Sequence, residues 1–89
     1  MEEVQKEIQC KRTLDQATTI AFCQLAGQYL SDVKIRRGSF TVDAKSMMGL
    51  MAIPIKDGVS LTIEASGTDA EEAVSAIEEF LGQPAASNV

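Results

Sequence analysis

Lys56 to Gly82 reads KDGVSLTIEASGTDAEEAVSAIEEFLG, and this stretch decides the fold. Lys56-Asp57-Gly58 is a turn by composition. Val59, Leu61, Ile63 and Ala65 then alternate with polar residues, the period of a strand with one buried face. Gly67-Thr68-Asp69 closes the strand and offers caps to a following helix, since both T-x-x-E and D-x-x-E spacings fit a capping box. Ala73, Val74, Ile77, Phe80 and Leu81 give that helix one apolar face, and Glu71 and Glu72 sit in its first turn, where the helix dipole favours them. Gly82 ends it. A strand followed immediately by a helix that covers it points to a layered α+β fold.

The same signals extend towards the N-terminus. Val4, Ile8 and Cys10 fall on one side of a strand pattern, and Lys6 interrupts that face, as at a sheet edge. After the loop Lys11–Asp15, apolar residues recur at Ala17, Ile20, Ala21, Leu25 and Ala26, predicting a helix from Gln16 to Leu30 with Asp15 as its N-cap. Val33 and Ile35, then Phe40 and Val42, alternate on either side of Arg37-Gly38-Ser39, predicting a β-hairpin. Lys45–Pro54, KSMMGLMAIP, contains three of the chain's four methionines and predicts a short helix ended by Pro54. The order is β-α-β-β-α-β-α, with the helices covering one face of a mostly antiparallel sheet. No internal repeat is present. The expected domain spans residues 1–82, and the polar tail, residues 83–89, is expected to be disordered.

Composition narrows the function classes. The chain has 89 residues, enough for one core and too few for a cleft between domains. A net charge of −5 argues against nucleic-acid and acidic membrane surfaces as partners. No apolar run approaches the roughly 20 residues of a membrane helix, and the acidic MEEVQKE start is unlike a signal peptide, so a cytoplasmic location is expected. The chain has no histidine, and its two cysteines, Cys10 and Cys23, make no disulfide framework and read as small buried hydrophobes. No metal cluster or cofactor motif is visible, and no enzymatic activity is expected.

VDAKSMMGLMAI, followed by KDG-SLTIEASGTDAEEAVSAIEEFL, closely resembles the HPr family, the small phosphocarriers of the bacterial sugar phosphotransferase system. The resemblance covers about residues 4 to 82. It implies an open-faced β-sandwich: a four-stranded antiparallel sheet with three helices on one face. In the family, the phosphoryl group rides on a histidine just before the first helix, in a motif of the form GLHARPA. The matching stretch here is Thr13–Thr19, TLDQATT, so Asp15 stands at the histidine position, Ala17 at the arginine position and Thr18 at the proline position. Phosphohistidine transfer needs the imidazole and the nearby guanidinium, and both are missing.

Three readings of Asp15 follow. It caps the helix; it mimics the charge of a phosphorylated site; or it accepts phosphate itself as an acyl phosphate. For the third, Arg12 is the one upstream cation that could substitute for the lost guanidinium. Ser46 stands where relatives are phosphorylated by an ATP-dependent HPr kinase/phosphorylase, and it also reads as a plain N-cap. Met47, Met48 and Met51 are too apolar for a short helix to bury completely. In the family this patch and the exposed face of the first helix, here Gln16, Ile20 and Gln24, form the docking surface. Pro54 departs from the glycine usual after the short helix.

With the histidine position occupied by Asp15, the chain resembles the Crh-like members of the family, which lack the phosphohistidine and act through a phosphoserine. This resemblance implies a regulatory interaction module whose partners are HPr kinase/phosphorylase and a catabolite control regulator of transcription. The alternatives are a phosphotransfer component using Asp15 between Enzyme I and a sugar-specific Enzyme IIA, and a diverged interaction module without phosphorylation.

Overall fold

The computed structural model of the chain describes residues 2–82; the expected C-terminal tail lies outside them. The elements run β1 (Glu2–Gln9), α1 (Gln16–Gly27), β2 (Asp32–Arg37), β3 (Phe40–Asp43), α2 (Met47–Ala52), β4 (Ser60–Gly67) and α3 (Ala70–Gly82). The four strands form one sheet in the order β1-β4-β2-β3, each neighbouring pair antiparallel. The three helices cover one face, as an open-faced β-sandwich.

β4 is central because its alternation is complete: Leu61, Ile63 and Ala65 are buried beneath the helices. Pairing carries that face outward, Ile63 opposite Ile35 of β2 and Ala65 opposite Val33. Against these pack Phe22 and Ala26 of α1, and Ala73, Val74, Ile77 and Leu81 of α3. Phe22 and Phe80 meet with ring centroids 5.7 Å apart, a tilted pair of the kind that adds about 0.5–1.5 kcal/mol beyond burial. Lys6 lies on the helix side of the edge strand β1, as its pairing with Ile63 requires, and its Nζ reaches Glu78 of α3 at 2.9 Å. The apparent break in the strand pattern is a lysine stem covering the rim of the core with its charge in solvent.

The hairpin forms as expected. Arg37 pairs with Phe40, and Gly38 takes φ +61 in the two-residue loop, a conformation that favours glycine. Ile53 after α2 is extended, as a residue before proline tends to be.

Three expectations are corrected. Helix α1 stops at Gly27, not Leu30. Its buried residues are Thr19, Phe22 and Ala26, whereas Ala17 and Ala21, whose spacing predicts an inward stripe, point outward with Ile20. Alanines at helical spacing mark two overlapping stripes, and the bulk of Phe22 decides which one turns inward. Thirdly, Asp69 does not spend its carboxylate on a capping box for α3. It accepts from the backbone N–H groups of Leu30 (2.8 Å) and Ser31 (2.9 Å) and from the Ser31 hydroxyl (2.5 Å), tying the link between α1 and β2 to the start of α3. Gly67 makes this junction possible. Its φ is +152, and a Cβ there would lie 2.7 Å from the Ser31 Cα.

Candidate functional site

The start of α1 faces the exit of α2 on the helical side. Between them runs a groove of about 330 Å³ lined by Leu14, Asp15, Gln16 and Thr19 on one side and by Leu50, Met51, Ile53, Pro54 and Ile55 on the other. Cys23, half-buried in α1, donates its Sγ–H to the carbonyl of Lys45 at 3.1 Å, which pins the approach to α2 against α1. The Lys45 Nζ in turn donates to the Tyr29 carbonyl at 2.8 Å. Two sequence-distant segments are thereby held in register by polar bonds to backbone, an arrangement that composition did not reveal.

Asp15 is the N-cap of α1. Its Oδ1 accepts from the Thr18 N–H at 2.8 Å, and the Thr18 hydroxyl oxygen accepts from the Asp15 N–H at 2.8 Å. This reciprocal pair is a capping box with threonine at N3, legible in D-x-x-T although the sequence reading took Asp15 alone. The Thr18 backbone bond, then its side-chain bond, lower the Asp15 pKa below its ordinary value of 3.8. The group is therefore an ionised, solvent-facing carboxylate whose hydrogen bonds come from its own helix.

Arg12, the cation considered as a partner for Asp15, is turned elsewhere. Its guanidinium lies 4.5 Å from the centroid of the Phe80 ring, and Nη1 donates to the Phe80 carbonyl at 3.3 Å. It is half-buried at the end of α3 rather than solvated in the loop. Stacking on an aromatic face and hydrogen bonding to a helix C-terminus both suit a guanidinium.

Ser46 is the N-cap of α2, and its Oγ accepts from the Gly49 N–H at 3.2 Å. Gly49 fits there because an added Cβ would stand 3.2 Å from Val42 Cβ, so α2 packs tightly on β3. Ser46 is itself half-buried, with its hydroxyl at the mouth of the short helix.

The Met-rich helix divides its side chains by role. Leu50, at 3% exposure, fills the core contact, whereas Met48 and Met51 are 86% and 66% exposed and Met47 is half-buried. On α1, Gln16 and Gln24 are exposed and Ile20 is 40% exposed. The structure thus turns Gln16, Ile20, Gln24, Met48 and Met51 outward and Met47 only in part, while Leu50 is the residue that packs.

A family model described as the phosphotransferase-system HPr component phosphorylation site matches residues 3–83. The chain belongs to the HPr family. It is 35% identical over 81 residues to the HPr-like protein Crh of Halalkalibacterium halodurans, covering 91% of this chain and 96% of that protein. Its fold superposes with a TM-score of 0.85 on the crystal structure of the phosphocarrier protein HPr from Bacillus anthracis, at 36% identity, covering 91% of this chain and 99% of the other. The crystal structure of Crh, a catabolite repression protein of Bacillus subtilis, superposes with a TM-score of 0.72 at 31% identity, covering 91% and 93%. The chain is accordingly an HPr-like member of the phosphocarrier family of the phosphotransferase system. Among the described residues, no helix is long and apolar enough to cross a membrane, and no group of three or more Cys, Asp or Glu could hold a metal ion.

Proposed function

We propose that this HPr-family chain is a cytoplasmic regulatory protein and not a phosphocarrier. On this reading Asp15 occupies the phosphohistidine position, Ser46 receives a phosphate, and Met47, Met48 and Met51 with Gln16, Ile20 and Gln24 form the docking face. The partners are HPr kinase/phosphorylase and a catabolite control regulator of transcription.

The observation that carries the reading is the state of Asp15. A phosphoryl acceptor must present a free nucleophilic oxygen with a cation beside it to steady the transferring charge. Asp15 places Oδ1 in a capping box with Thr18 and turns to solvent, but it lacks the cation: Ala17 stands at the family's arginine position, and Arg12 is spent on Phe80. Ser46 lies beside the exposed methionines, so a phosphate there would add about two negative charges to the docking face and could choose between partners.

Incubation with phosphoenolpyruvate and Enzyme I, followed by intact-mass analysis with and without hydroxylamine, tests the loss of carrier function. The expected result is unchanged mass. A phosphate that is removed by hydroxylamine and absent from Asp15→Asn would establish acyl-phosphate transfer at Asp15 and overturn the proposal.

A further inference from the structure

The exposed apolar surface does not stop at α2. A second groove, about 450 Å³, lies between the β2–β3 turn and the exit of α2, lined by Arg37, Gly38, Ser39, Phe40, Ala52, Ile53 and Pro54. It shares Ile53 and Pro54 with the groove beside Asp15, so the two flank one ridge and form a continuous surface. Phe40 is 69% exposed in this groove, a large aromatic face that the core does not use. Phe40 pairs with Arg37, so both stand on the same side of the β2–β3 hairpin as the Ile35–Val42 pair, the side the helices cover.

Charge sets the character of the occupant. Arg37 is the only ionisable residue among those lining the second groove, on a chain of net charge −5. Its Nη1 donates to the Pro54 carbonyl at 3.0 Å, which anchors the guanidinium at the groove wall. A guanidinium carries five N–H donors, so this bond leaves others for a carboxylate. Among the described residues no ion pair engages Arg37; the acidic side chains in salt bridges pair with Lys6 and Arg36. A held arginine beside an exposed aromatic ring complements an acidic residue next to an apolar one.

We propose that the docking surface of α1 and α2 continues over Pro54 into this groove. There it receives a segment of the partner protein that presents a carboxylate to Arg37 and an apolar side chain to Phe40. The proposal rests on the docking reading above and deepens it by stating the chemistry of the partner.

The test measures binding of HPr kinase/phosphorylase to the wild type and to Arg37→Gln, Arg37→Lys, Phe40→Ser and Met48→Ser at two salt concentrations. Urea unfolding confirms that each variant is folded. The expected result is roughly tenfold weaker binding for Arg37→Gln and Phe40→Ser. Arg37→Lys should recover part of the loss, and Arg37→Gln should bind with a flatter salt dependence than wild type. If Met48→Ser weakens binding while Arg37→Gln and Phe40→Ser bind as wild type, the extension fails and the α1–α2 docking face stands. If the wild type does not bind, the extension falls together with the docking reading. Light scattering completes the test: self-association abolished by Phe40→Ser would assign the groove to a second copy of the chain and overturn the partner proposal.

Discussion

Three neighbouring residues of α2 allow packing and docking to be separated in one experiment. Leu50 is buried to 3% exposure, while Met48 and Met51 are 86% and 66% exposed. Truncating a buried leucine removes transfer free energy and leaves a cavity, typically costing about 2–5 kcal/mol. The lower part of that range applies to Leu50→Ala, because α2 is short and its exit loop can relax inward over the groove beside Asp15. With a urea m-value near the low end for small domains, about 1 kcal/mol/M, a loss of about 2 kcal/mol moves the midpoint down by roughly 2 M. Met48→Ala and Met51→Ala remove side chains from solvent-facing positions, so stability should stay within about 0.5 kcal/mol of wild type. In binding, by contrast, each methionine that becomes covered should be worth about 1–2 kcal/mol, or roughly tenfold in Kd. The paired assay is urea unfolding followed by circular dichroism, and titration against the kinase. If Met48→Ala lowers the urea midpoint as much as Leu50→Ala, Met48 is a packing residue and the division of roles in α2 is wrong.

Gly67→Ala should destabilise the fold by at least ~1–3 kcal/mol from backbone conformation alone, with a further loss from overlap with Ser31, read as a lower thermal midpoint; an unchanged midpoint would refute the junction geometry. Asp15 and Asp69 are both held below 3.8 in the fold by hydrogen bonds, chiefly to Thr18 and Ser31 respectively. A depressed carboxylate contributes stability fully above its unfolded pKa and loses it as pH falls through the folded value. Urea midpoints should therefore be level from neutral pH down to about 4 and fall below it, and Asp69→Asn should flatten part of that acid slope. Burial, with the Asp57 charge second, pushes the Cys10 thiol from its ordinary value of 9.0 up to about 11. A thiol-directed reagent at pH 8 should accordingly modify Cys23 first and reach Cys10 only through unfolding; equal rates would contradict its burial.

Much of the fold is legible because β4 and α3 each obey one period without conflict. Leu61, Ile63 and Ala65 cannot face the core in any register but one, and Ala73, Val74, Ile77 and Leu81 can cover them only as a helix. Helix α1 is less legible because alanine fits either face, so the spacing of Ala17 and Ala21 does not show that Phe22 is the residue that turns inward. Asp69 misleads for a related reason. Its position suits a capping box, but a side chain that can reach Leu30 and Ser31 across the fold is governed by a contact no local pattern encodes.

The candidate site divides in the same way. Asp15 and Ser46 read correctly as N-caps, since capping depends on neighbours a few residues along the chain. The fate of Arg12 depends on Phe80, far away in sequence, and could not be read from its loop. The second groove, with Arg37 and Phe40, depends on how the hairpin turn meets the exit of α2 and likewise left no linear signal.

The most direct measurement of the central claim is intact-mass analysis of wild type and Ser46→Ala after incubation with ATP and the HPr kinase/phosphorylase of the source organism. The account predicts one phosphate on the wild type and none on the alanine variant. A wild type that gains no phosphate, or an alanine variant that gains one, would contradict it.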